Sequence, residues 1–201
     1  MLLRSSFNGL FALSMFLRQG CGIEDGNDTS TPVTTTPNGT YDSAAFSTAT
    51  SQGFSVLLPA GTGSNASSAP VLQTYVYFSS ASGGISTCGS IGVKANSFLV
   101  GIVIASSAIP ATGSYGFVTS SAGLLPQRFI GEIRKLDASC GPAVESATSG
   151  TLTVTASSSA SISGTVSLTF PGGTISGAFS STLCPKDLGE FGSLDTPACL
   201  P

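Results

Sequence analysis

Hydrophobic positions in the last third of the chain recur at every second residue. Over 161–170, Ile162, Val166, Leu168 and Phe170 fall on one side, and Ser161, Ser163, Thr165, Ser167 and Thr169 on the other. A period of two places alternate side chains on opposite faces of a strand, so one face belongs to a core and the other to water. The theme occurs three times, as Ser149-Gly150-Thr151-Leu152-Thr153, Ser163-Gly164-Thr165-Val166-Ser167 and Ser176-Gly177-Ala178-Phe179-Ser180, at offsets of 14 and 13 residues. Each offset suits one strand and one turn, and Pro171-Gly172-Gly173 supplies tight-turn chemistry between copies. The pattern predicts a C-terminal antiparallel meander.

Further strands are predicted over 53–58, 71–79, 97–106, 115–120 and 128–136. The run from Phe98 through Ile104 is apolar on both faces, which predicts a central strand covered on each side. It is too short to cross a bilayer, for which a helix needs roughly 20 apolar residues. No helical period is sustained beyond Asp42, and the abundant β-branched and hydroxyl residues disfavour one. The expected fold is all-β: an antiparallel β-sandwich or a closed β-barrel of about eight to nine strands, forming a single domain over 42–201.

The N-terminus has a different character. Met1-Leu2-Leu3-Arg4 precedes an apolar run over 7–17, and Arg18-Gln19-Gly20-Cys21 follows. A short basic start, about ten apolar residues and a small residue before a cleavage point form a secretory signal, predicted over 1–20. After Cys21 come Gly22-Ile23-Glu24-Asp25-Gly26-Asn27-Asp28 and a stretch rich in Thr, Pro and Asn. Such a segment buries too little apolar surface to offset its chain entropy, so 21–41 is expected to be a disordered tether. This arrangement resembles that of bacterial lipoproteins with a Ser/Thr/Gly-rich β domain and paired cysteines. The resemblance implies that Cys21 becomes a lipid-bearing mature N-terminus. Its partner would then be the membrane, reached through that lipid at the outer membrane or cell surface; simple secretion is the alternative. Arg18 and Gln19 stand where that family usually has Leu and a small residue.

Composition narrows the chemistry. Of 201 residues only 8% are charged, the net charge is -3, and there is no His or Trp. An average soluble domain carries roughly 25% charged residues. Without a basic footprint, nucleic acid is not an expected partner. Without His, neither a Ser-His-Asp or Cys-His unit nor a His-ligated metal site can be built. The five cysteines form an odd set; assigning Cys21 to lipid leaves Cys88, Cys140, Cys184 and Cys199 as two disulfides of an exported domain. Three connectivities are open, and Cys184–Cys199 with Cys88–Cys140 is the expected one.

No acid lies between Asp42 and Glu132, which removes paired-carboxylate catalysis from the first half of the domain. Glu132 and Arg134, two apart, share a strand face and are expected to form a solvated pair. Asp187, Glu190 and Asp195 form an acidic stretch without the spacing of an EF-hand calcium loop. Gly61-Thr62-Gly63-Ser64-Asn65-Ala66 matches a dinucleotide fingerprint in letters only, because Pro70 interrupts any following helix. No Ser lies in a nucleophile-elbow or S-x-x-K pattern, leaving only a spatial Ser-Lys pair with Lys94 or Lys186 for a small hydrolase. Tyr75 and Tyr77 alternate on one face of a strand and form the candidate ligand face, for a glycan or a surface protein. The expectation is therefore a non-enzymatic envelope domain with a structural or interaction role, needing no metal or cofactor. Its alternative is a carbohydrate-binding or adhesive module. The intact mass of chain purified from host membranes should start at Cys21 with a diacylglyceryl group and gain two hydrogens per disulfide on reduction. An uncleaved Met1 would remove the anchor.

Overall fold

The computed structural model describes residues 37–59, 69–82, 92–185 and 198–200. The signal, Cys21, most of the tether, the Gly61–Ala66 motif, Cys88, Lys186 and the acidic stretch at 187–195 lie outside them. The described residues are all-β, with one short 3-10 turn at Ser121–Gly123. The strands are β1 (Asn38–Tyr41), β2 (Ala44–Ser47), β3 (Thr50–Leu58), β4 (Val71–Ser79), β5 (Gly92–Lys94), β6 (Phe98–Ser106) and β7 (Gly113–Phe117). They continue with β8 (Arg128–Leu136), β9 (Pro142–Ser146), β10 (Ser149–Ser157), β11 (Ser161–Phe170), β12 (Gly173–Pro185) and β13 (Ala198–Leu200).

Eight of these strands form a closed barrel in the order β11-β10-β7-β8-β6-β4-β3-β12, with β12 returning to pair with β11. Of the two expected architectures, the barrel is the one that forms, and the C-terminal meander β10–β11–β12 is present. The sheet is mixed, however. β12 runs parallel to β3 through Leu183, Cys184 and Pro185, and β7 runs parallel to β8 at only two pairs, Gly116↔Arg128 and Phe117↔Phe129. In this strand order the barrel closes through two parallel seams, which strand periodicity cannot reveal. β1 and β2 form a hairpin along the start of β12, and β9 pairs with β8. The folded unit thus begins before Asp42: Asn38–Tyr41, expected to belong to the tether, is strand β1, because its amides pair with both β12 and β2.

The inside and outside of the barrel follow the alternation in the sequence. Ile162, Val166, Leu168 and Phe170 point inward with Leu152, Val154, Ile175 and Phe179, joined from the other wall by Val76, Phe78, Val100, Ile102, Ile104, Phe129 and Ile133. The interior of an eight-stranded barrel is just wide enough for side chains to fill it. Glycines make room for the largest: a Cβ on Gly131 would lie 2.6 Å from the Leu168 side chain, and one on Gly150 3.0 Å from it. At Gly164 a Cβ would fall on the Thr153 carbonyl oxygen, beside a β-bulge between Val154 and Ala156 that bends β10 around the barrel.

Outside, the two halves differ. The outer faces of β10, β11 and β12 carry Ser and Thr in cross-strand rows, such as Thr151–Ser167–Ser176 and Ser149–Thr169–Thr174. No charged residue occurs from Ser149 to Pro185. Apolar inside and hydroxyl-bearing outside, this wall has the reverse polarity of a lipid-facing barrel. The outer face of β3, β4, β6 and β8 is instead covered. One cluster joins Phe54, Tyr77, Val93, Leu99, Leu136 and Cys184 beneath β5, and another joins Val71, Ala105 and Leu124 beneath the β7–β8 crossover. β6 is therefore buried on both sides, as its doubly apolar sequence predicts.

The inward-outward assignment has a direct consequence. Phe78→Ala, which removes a fully buried ring packed edge-on against Phe179, should cost about 3–5 kcal/mol. Thr165→Ala on the outer wall should stay within about 0.5 kcal/mol. Urea unfolding with the disulfides intact measures both, and comparable losses would contradict the assignment.

Candidate ligand cleft at the barrel mouth

At the end of the barrel where β8 finishes and β6 begins, three turns converge. Tyr41 and Ala44 flank a two-residue hairpin whose central residues Asp42 and Ser43 have φ of 49° and 65°. Two left-handed residues in succession suit the twist of a tight hairpin, and Asp tolerates that conformation. The turn before β6 places Asn96 at φ 56°, with Ser97 Oγ donating to the Lys94 carbonyl at 2.6 Å. The β8–β9 turn is organised by Asp137, whose Oδ1 accepts the amides of Ser139 and Gly141 at 2.8 Å each. The second and third turns are joined through Asn96 N–H to the Asp137 carbonyl, 3.1 Å, and Leu136 N–H to the Ser97 carbonyl, 2.9 Å.

These turns enclose a cleft of about 950 Å³. Tyr41, Phe98, Leu136 and Pro142 give it apolar walls, and Asp42, Asn96, Lys135 and Asp137 present polar groups. Tyr41 is 6% exposed and packs edge-to-face on Phe98 and Phe170, with ring centroids 5.8 and 6.1 Å away. With buried Phe46 of β2 it belongs to the interior core and closes this end of the barrel. Lys135 Nζ lies 2.9 Å from Asp42 Oδ2, an ion pair about half exposed on each side. Behind Tyr41 stands Glu145 of β9, close enough for its carboxylate to favour the protonated phenol. Its Oε2 is buried without a hydrogen-bond partner. Burial, followed by the nearby Glu145 carboxylate and the charge of Asp42, pushes the Tyr41 phenol up to about 12. The opposite end of the barrel holds a smaller cavity of about 250 Å³, lined by Leu57, Leu72, Ile109, Pro110 and Leu183 with Ser55, Ser158 and Ser159.

The residues singled out in the sequence lie elsewhere. Tyr75 and Tyr77 share the outer face of β4 as expected, but they pack into the covered cluster. Their rings stack with centroids 6.4 Å apart, Tyr77 meets Phe54 edge-on, and its ring lies over Gly101, where a Cβ would be 3.0 Å away. Tyr75 donates to Gln73 Oε1 at 2.5 Å. Glu132 and Arg134 do pair, at 2.7 Å, but the pair is partly buried, with Arg134 only 15% exposed. Ser97 contacts the Lys94 carbonyl and not its amine.

The expected disulfide connectivity is corrected. Cys140 is bonded to Cys199, 59 residues away, and Cys184 is bonded to a cysteine outside the described residues. The physical reason is β13: pairing parallel to β5, it carries Cys199 to the β8–β9 turn, whereas Cys184 faces Phe54 and Tyr77 from β12. The bridge fastens the turn that holds Asp137 to the C-terminal strand.

The cleft residues Tyr41, Asp42, Asn96, Lys135, Asp137 and Glu145 carry one signal in the sequence. Most charges of the β domain gather in two groups, at 132–145 and at 186–195, and the first of them holds Lys135, Asp137 and Glu145; Tyr41, Asp42 and Asn96 lie outside both. Comparison with protein-family models, curated proteins and solved structures finds no match to the chain.

The phenol makes the site's electrostatics measurable. A phenol that holds its proton more tightly when folded stabilises the fold below the ordinary value near 10. That contribution should fall away as pH rises from about 10 through about 12. Ultraviolet titration should show a late-ionising phenol that Tyr41→Phe removes and Glu145→Gln moves back toward the ordinary value. An unchanged profile in both variants would place that phenol elsewhere.

Proposed function

We propose that the chain is an exported, lipid-anchored domain of the bacterial cell envelope that binds a small ligand in the barrel-mouth cleft and performs no catalysis. The observation that carries the binding role is the cleft itself. Its volume of about 950 Å³ matches the roughly 300–1,000 Å³ of small-molecule sites, which favour the mouths of β-barrels and combine apolar walls with a few convergent polar groups. Apart from Lys135, near the end of β8, those groups sit on turns stiffened by left-handed residues, by the Asp137 turn bonds and by the Cys140–Cys199 bridge. Polar groups held in advance lose little freedom when a ligand arrives.

The lipid anchor rests on the sequence resemblance through Cys21, and the binding role rests on the geometry. A glycan-binding role through Tyr75 and Tyr77 has less support, since both rings are packed against protein groups; if a sugar is the ligand, the cleft is where it fits. The hydroxyl-bearing wall of β10–β12 lacks the exposed aromatic platform that sugar rings stack upon.

An amide-resolved NMR screen of the full chain with a fragment library tests the reading. Shifts should concentrate at Asn96, Ser97, Lys135, Asp137 and Ala138. Asn96→Gly keeps the left-handed turn while deleting the amide, and Phe98→Ala removes an aromatic wall. Each should weaken binding about tenfold, or roughly 1.4 kcal/mol. Hits mapping to the β10–β12 wall, or an empty screen, would overturn it.

A further inference from the structure

We infer that the cleft selects a compact organic ammonium cation, a primary amine carried on a body with an apolar face. This rests on the proposed binding role. The argument begins with the charges around the cleft. Asp42 and Asp137 line it, and Glu145 stands behind its Tyr41 wall with a buried, unpartnered oxygen. Lys135 is the one cation among the lining residues, and it is engaged with Asp42 at 2.9 Å. Lys94, at the end of β5, does not line the cleft. An entering anion would face an excess of negative charge with its only counter-charge already paired. An entering cation gains from Asp137, which has no ion-pair partner among the described residues, and it can share Asp42 with Lys135.

The walls point the same way. Tyr41 and Phe98 both line the cleft, and aromatic rings attract ammonium groups electrostatically. Leu136, Pro142, Ala44 and Ala143 offer an apolar surface for the carbon skeleton. A bare metal ion fits poorly, because the carboxylates stand on separate turns; among the described residues no group of three or more His, Cys, Asp or Glu side chains is placed to hold one. Separated carboxylates beside aromatic and aliphatic walls suit an ammonium group carried on a carbon skeleton.

The test is titration of the full chain with glucosamine and with spermidine, using glucose and glucuronate as neutral and anionic controls, at low and at physiological salt. At least one amine should shift the cleft amides and bind ten-fold or more tighter than glucose, and its affinity should fall as salt rises. Glucuronate should not bind. A response to glucosamine alone identifies an amino sugar, a response to spermidine alone a polyamine, and a response to both recognition of the ammonium group itself. Asp137→Asn retains an oxygen to accept the Ser139 and Gly141 amides, so the turn should persist while amine affinity drops about five-fold or more. Equal binding of glucose and glucosamine, preferential binding of glucuronate, or unchanged amine affinity in Asp137→Asn would overturn the inference. If neutral fragments occupy the cleft and amines do not, only the cation preference fails; if neither class enters, the binding role fails as well.

Discussion

The barrel exists because β12 can pair with β3, and that seam is short. Only Leu183, Cys184 and Pro185 of β12 form ladder pairs with β3. The rest is held by side chains: Ser51 Oγ donates to the Ser180 carbonyl at 3.0 Å, and the buried Gln52 amide to the Thr182 carbonyl at 2.8 Å. Backbone carbonyls left without a strand partner inside a folded protein are costly, and these two side chains satisfy them where the strands diverge. Without this closure the edges of β3 and β12 would be open, with the inner faces of Phe78, Ile102 and Phe179 lacking a surrounding wall. Closure is how a sheet of this kind avoids exposing edges to other chains.

Closure also dictates what can happen at the ends. A ring of strands with a filled interior leaves no space for a ligand along its axis, so concave surface arises where turns overhang the mouth. Here the β1–β2 hairpin inserts Tyr41 and Phe46 into the end of the core, and its turn places Asp42 opposite Lys135. The same insertion sets Tyr41 near Glu145, placing a carboxylate with one buried oxygen and a neutral phenol together at the edge of an apolar interior. Electrostatic interactions count for more there than at a fully hydrated surface.

The outside of the barrel is divided by what covers it. The wall of β10–β12 meets water directly, and its hydroxyl rows need no charge to remain hydrated. The wall of β3, β4, β6 and β8 carries Phe54, Tyr77 and Leu99 outward and requires a second layer, supplied in part by β5 and the β7–β8 crossover. The Cys140–Cys199 bridge belongs to this second layer. It holds a C-terminal strand of only three residues, which could contribute little stability through its own ladder.

By itself the sequence determined the local features. Alternation placed the C-terminal meander and sorted the inner from the outer residues of β11, because a period of two is imposed by the geometry of a single strand, and β-prone stretches marked the other five barrel strands. The double apolarity of β6 announced a covered strand, and composition excluded histidine chemistry. Tertiary structure alone decided which strands met. The parallel seams of β3 with β12 and β7 with β8, the choice of barrel over sandwich and the Cys140–Cys199 pairing depend on contacts between distant segments, to which no local period refers. β1, β2, β5, β9 and β13 are too short to show alternation and are strands because partners lie beside them. The cleft was hidden for the same reason: Tyr41, Asp42, Asn96, Lys135, Asp137 and Glu145 become neighbours only when three separate turns are gathered at one end of a closed barrel. The tyrosines that looked available in the sequence were covered by a layer drawn from elsewhere in the chain.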